Sequence, residues 1–341
     1  MKKIFLALVM LLSLGSTLWI EKASAAPVVF IPIYNTDDWN KFRDEVKKAK
    51  GQYWIDARLE ADITVTQAVG MDEDAPYRGT FDGNGHTLNV VIDGGNNTAI
   101  APFCRAGDTT IKDLHVTGSI KGGIHAAGLI GLMTTGRPTL TLNRVWVSVD
   151  VKSSSTHTAG IVGHARASNV YINDTRFDGK ITSNNTAGSI IGCIIGWGGE
   201  GGWTFHRVYN CPQSTPLASY ICYCVDSSSG TGKHWGGNSG SSLTITSTGW
   251  GDWGVNHYNK TNQSEVVNLM NAEQAGSWIL LDGKAVPKMN KSLDNGGWTK
   301  LSVGCTDGYV LQSGNYYVTQ NVEYTNGPCR SKSLIHKEFP S

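Results

Sequence analysis

Four stretches of this chain align at offsets of 31, 30 and 33 residues: TIKDLHVTGSI from Thr110, TLNRVWVSVDV from Thr141, YINDTRFDGKI from Tyr171 and TFHRVYNCPQS from Thr204. Each opens with an apolar residue (Ile111, Leu142, Ile172, Phe205) followed by two polar ones. Alternation then resumes at Leu114, Val145, Thr175 and Val208. Period-two alternation marks strands with one buried face, and the polar pair marks a corner at which the phase shifts. A second signature trails three of the strands: AAGLIG at 126, TAGIVG at 158 and TAGSIIG at 186. Its small residues suit close packing between neighbouring turns of chain.

A repeat of about 30 residues made of short strands can bury its apolar stripe only against the next copy of itself, which is the logic of a solenoid. Helical repeats of that length need a 3.6-residue period, and these segments lack it. A β-sandwich would not restart its corner at a near-constant offset. The expected fold is therefore all-β: a right-handed parallel β-helix of about five rungs, spaced about 4.8 Å apart.

Several motifs carry a resemblance to a known family. YRGTFDGNGHTL from Tyr77, IKDLHVTGSI from Ile111 and the AGLIG, AGIVG and AGSIIG series resemble GLUG-motif repeat proteins. ARLEADITVTQAVG (57–70) is similar to the strand that precedes the FDGNGHT element in that family, and WILLDGKAVPKM (278–289) to its closing segment. The likeness covers about residues 35–290. It departs in the degenerate fourth repeat and in the Gly/Trp-rich stretch that follows. It implies a β-helical part of a secreted or surface bacterial protein, and it implies no single activity.

Within the family element, Asp82, Gly83, Asn84 and Gly85 are read as scaffold. Glycine permits positive φ, and short Asp and Asn side chains bond nearby backbone N–H groups in a turn. An Asp82–His86 acid–base pair is the competing reading, with no partner carboxylate fixed beside it. Equal positions in successive repeats should form columns. One corner column reads Asp113, Arg144, Asp174, Arg207, whose alternating signs suit an exposed charge ladder that fixes register. The next column reads His115, Trp146, Arg176, Tyr209, and beside it lies the polar column Thr117, Ser148, Asp178, Cys211. Both are expected to face outward. Aromatic rings and arginine in a strip suit the stacking and hydrogen bonding of sugars; a strip packed under a loop, or a cation–π ladder, is the alternative.

Of five tryptophans among glycines at 196–255, Trp203, Trp235, Trp250 and Trp253 are read as loop-borne binding residues or as a plug for the coil's end. No HExxH, GxSxG or Walker loop is present, so no catalytic residue is assigned. The alternative class is a polysaccharide lyase or glycoside hydrolase on the same scaffold, and the blandest is a passive spacer.

The ends complete the expectation. Residues 1–25 combine two lysines, a Leu-rich run and an Ala-Ser-Ala site, the pattern of an export signal cleaved after Ala25. Residues 26–75 form an N-terminal cap with a helix over 36–49, N-capped by Thr36, that shields the open end. Residues 76–290 form the β-helix. Residues 291–341 read as an incomplete β segment, which suggests a truncated version of a longer surface protein. Near balance of charge, 29 basic against 28 acidic residues, removes the electrostatic argument for nucleic acid or anionic membrane. Seven cysteines leave at least one thiol unpaired in an exported protein, and Cys305 can bridge Cys329. No metal ligand set and no cofactor motif was found. The expected partner is a glycan or a host or cell-surface ligand, with no membrane insertion of the mature chain.

Overall fold

The computed structural model describes residues 30–155, 157–183, 191–198, 202–210, 220–224, 229–236, 256–259, 262–291, 298–300 and 315–317. The chain winds into the expected right-handed parallel β-solenoid. Its first wall stacks the strands Tyr77–Asp93, Phe103–Gly122, Thr139–Ser153, Asn169–Phe177, Gly202–Asn210, Ser229–Gly236 and Asn256–Asn259, each paired in parallel with the next. A second wall stacks Ile130–Met133, Val162–Arg166, Ile191–Gly198 and Tyr220–Cys224 in the same sense. Seven strands in the first wall exceed the five rungs expected, because the Gly/Trp-rich stretch contributes strands of its own.

The apolar residues that open the repeats fall into one interior column. Phe81 pairs with Ile111, Ile111 with Leu142, Leu142 with Ile172 and Ile172 with Phe205, and all five are fully buried. Leu114, Val145, Thr175 and Val208 form the next column inward of the corner. Each rung thus covers the greasy face of its neighbour, the main favourable term in such a coil.

The corner itself has a cause that the sequence disguises. Asn84, Asp113, Arg144, Asp174 and Arg207 all adopt positive φ, between 46° and 57°. Left-handed backbone is routine for Asn and Asp but costs an arginine roughly 1 kcal/mol or more. Gly83 serves a different purpose from Gly85: a Cβ there would meet the Asp113 carbonyl at 2.4 Å, so it permits close approach of rungs.

At the N-terminal end, helix α1 (Thr36–Ala49) turns Trp39, Phe42 and Val46 into the coil. Trp39, Phe42, Tyr77, Phe81 and Phe103 meet there at ring separations of 5.1–6.0 Å. The N-cap is Asn35, which accepts from the Asp38 N–H at 3.0 Å, and not Thr36. The Thr36 hydroxyl donates instead to the Thr64 carbonyl at 2.8 Å and ties the helix to the first rung.

The third small-residue signature needs correction. In the second wall Gly196 follows Gly163 and Gly131, each close to a carbonyl of the rung below, and Ile195 pairs with Val162. The rung is therefore built on Ile194-Ile195-Gly196, four residues beyond the IIG of the TAGSIIG reading. The sequence SIIGCIIG contains the tripeptide twice, and the pairing selects the second.

After the coil, helix α2 (Gln263–Glu273) and an antiparallel hairpin, Trp278–Leu281 with Lys284–Pro287, form a strap over 262–291. Asp282 and Gly283 take φ of 48° and 74° at its tip, the conformation a two-residue hairpin turn requires. The segment read as the closing part of the repeat array is thus no rung. It lies along the outside. Beyond it, the described residues include a parallel pair, Trp298–Lys300 with Asn315–Tyr317. The proposed signal at 1–25, Trp250, Trp253, Cys305 and Cys329 lie outside the described residues. No described helix is long and apolar enough to cross a membrane.

Candidate functional site

The outward column of the first wall is where the chemistry converges. Backbone register runs Thr87, His115, Trp146, Arg176, Tyr209, Trp235 and Tyr258, one residue per rung. The register expected from the repeat is therefore present, and the backbone pairing continues it through two further strands. His115 stacks on Trp146 with ring centroids 3.8 Å apart and planes 12° from parallel. The Arg176 guanidinium lies 5.8 Å from the Trp146 ring and 5.3 Å from the Tyr209 ring, held between two π faces.

Arg176 and Tyr209 do not face solvent as expected. Arg176 is 2% exposed and Tyr209 is fully buried, because the strap covers them. Arg176 donates to the Ala285 carbonyl at 2.6 Å and to Gln263 at 2.9 Å, and Gln263 donates to the Tyr209 hydroxyl at 2.8 Å. Tyr209 packs with Val266, Met270, Trp278 and Ala285 in a small second core. A ring whose two faces are taken cannot stack on a sugar, so the strip's covered part is a sealed cation–π ladder.

Asp178 is the hub beneath the strap and is likewise buried, against the outward placement read from its polar column. One oxygen accepts from Trp146 Nε1 at 2.7 Å and from Ser148 Oγ at 2.5 Å; the other accepts from Arg176 at 2.9 Å and Lys284 at 3.2 Å. Burial alone would raise its carboxyl, but Arg176, Ser148, Trp146 and Lys284 outweigh it and hold the group below the usual carboxylate range. Burial pulls His115 down to about 4, so its ring is neutral at pH 7. His115 Nε2 lies 3.3 Å from Ser148 Oγ. These residue types can serve catalysis, yet the serine stands between the other two, with its hydroxyl already donated to Asp178. The order His–Ser–Asp gives the serine no base that is itself oriented by an acid.

The charged corner also differs from an exposed ladder. Arg144 grips Asp113 with bonds of 2.5 and 2.7 Å, and Arg207 grips Asp174 with 2.6 and 2.8 Å. Both carboxylates are buried, and the strap reaches both: Asn290 N–H donates to Asp113 at 2.6 Å and Trp278 Nε1 to Asp174 at 2.9 Å. These bonds raise Arg144 and Arg207 above the ordinary guanidinium range. In the opening element Asp82 accepts from the Asn84 N–H at 2.8 Å and pairs with Lys112 at 2.9 Å, while His86 meets Asp62 at 3.0 Å. Asp82 and His86 thus have separate partners, as scaffold residues do.

Trp203 is the backbone register partner of Val170, on a strand and not on a loop, and Trp235 is that of Tyr209. Cys104 is a buried free thiol that burial raises to about 11. No group of three or more His, Cys, Asp or Glu able to hold a metal occurs among the described residues. The aromatic pair that sequence reasoning missed is Tyr53–Trp54, 66% and 64% exposed on the turn after α1. Its signal was two adjacent aromatics in the glycine-led turn GQYWI, outside any repeat.

No family model matches the chain, and no curated protein matches it by sequence. Among solved structures, the fold is similar to that of a Bacteroides ovatus protein described as a candidate immunoglobulin A1 protease. The TM-score is 0.51 at 14% identity, over 75% of this chain and 91% of that one. At that identity the likeness is one of fold.

Proposed function

We propose that this chain is an exported, non-enzymatic surface module of the GLUG type that binds glycans, with Tyr53 and Trp54 as the contact platform. The observation that carries the reading is that pair: two large adjacent rings left in water, just after a helix that packs on the coil through an aromatic cluster. Flat, partly apolar rings with polar tips are suited to sugar faces. The leader-like residues 1–25 support export, and the GLUG-like motifs support a bacterial surface setting. Trp250 and Trp253 belong to the proposal as a second platform.

A glycan array with the full-length protein, run alongside assays for reducing ends and unsaturated products, tests the reading. Binding without turnover, reduced at least tenfold by Trp54→Ala or Trp250→Ala, is the expected result. Turnover abolished by one acidic substitution would move the protein to the lyase or hydrolase class. An array with no bound glycan would leave the passive spacer.

A further inference from the structure

A second corner, where the chain passes from the first wall to the second, collects three imidazoles. His125 and His157 occupy the same place in successive rungs, each with positive φ (63° and 59°), following Ala99 at 64°. Their rings lie 5.3 Å apart, and the His125 ring is 4.6 Å from that of His164, on the strand Val162–Arg166. His125 and His157 are almost fully buried, and His164 is half-buried. The close stacking has a backbone cause: Gly131, Gly163 and Gly196 each stand against the carbonyl of Ala99, His125 or His157, where a Cβ would fall within 2.9 Å of the oxygen.

Arg166, on the same strand as His164, bears on both His125 and His164, and the imidazoles bear on one another. A proton placed on one ring would therefore sit in a desolvated corner beside Arg166 and two neighbours competing for the same charge.

We propose that His125, His157 and His164 form an acid-released clasp: neutral rings hold consecutive rungs together at this corner, and their protonation in mildly acidic surroundings opens it locally while the charged corner stays closed. Burial, with Arg166 and the neighbouring rings adding to it at His125 and His164, brings the three down to about 3, 4 and 4 in the folded chain, against 6.5 when free. The folded state thus binds fewer protons than the open one, and the clasp loses stability as pH falls from about 6.5 towards about 4. Opening stays local because the charged corner is held by the bidentate Arg–Asp pairs and by the strap. A surface protein built this way would change accessibility on entering an acidic compartment.

The test is hydrogen exchange on the full-length protein at about pH 7 and about pH 4.5, corrected for the intrinsic pH dependence of amide exchange. Peptides from 123–166 should lose protection at least tenfold more than peptides from 109–117, and neutralisation should restore it. The variant His125→Asn/His164→Leu should lose no such extra protection; Asn accepts the left-handed conformation, and Leu132 already occupies the His164 position one rung earlier. Equal loss at both corners, or equal loss in variant and wild type, would overturn the clasp. Should the variant not fold, titration of the wild-type imidazole resonances decides. Rings that stay neutral until the exchange transition support the proposal, and smooth titration near 6.5 with intact protection overturns it.

Discussion

The two corners of the coil answer the same strain in different ways. Both place residues other than glycine in left-handed backbone, Asp113, Arg144, Asp174 and Arg207 at one, Ala99, His125 and His157 at the other. The first recovers the cost through charge-assisted bonds of opposite sign across rungs, each buried carboxylate being fully engaged. The second relies on glycine-mediated backbone approach and on rings that must remain neutral. A parallel coil therefore needs no uniform corner chemistry, but the choice sets the condition under which each corner fails.

That contrast can be broken most forcefully at the charged corner. Arg144→Glu sets a carboxylate against buried Asp113 and should cost about 3–5 kcal/mol, clearly more than Arg144→Ala. Equal urea midpoints for the two variants would refute the cross-rung pairing. Next in size, Trp278→Ala removes a buried ring and the bond to Asp174. It should cost about 3 kcal/mol and expose Arg176 and Tyr209, read by unfolding and by faster exchange across 262–291. Histidine-corner changes should be smaller at neutral pH and grow in acid. His164→Leu should alter the thermal midpoint little near pH 7 yet narrow the loss between about pH 7 and about pH 4.5, because the wild-type loss follows the low affinity of the folded rings for protons. Smallest of all, Trp54→Ala should leave both corners and the midpoint within about 0.5 kcal/mol while weakening glycan binding; a large loss of stability would make Trp54 a scaffold residue.

The corners also show which features local sequence can carry. The coil, its interior column and the alternating charges were readable because each rests on a period-two pattern and a repeat offset, both local properties. The register at 186–196 was not, since SIIGCIIG offers two equivalent tripeptides and only pairing with Val162 and His164 separates them. The outward strip was found as a column but not as a covered one. Its cover depends on Trp278, Gln263 and Asn290, about 54–177 residues away from their partners, and no pattern within the strip announces them. Polar residues such as Asp178 look alike whether they face water or a strap that satisfies them. Histidines at 125 and 157 share a repeat position, but their meeting with His164 depends on the rung stagger.

A charge swap tests the stacking of rungs most directly. Asp113→Arg and Arg144→Asp should each destabilise the protein strongly, and the double variant should regain most of the loss, with a coupling energy of about 1–3 kcal/mol in a double-mutant cycle. Losses that simply add in the double variant would mean that these residues do not meet across adjacent rungs, and the columns described above would fall with them.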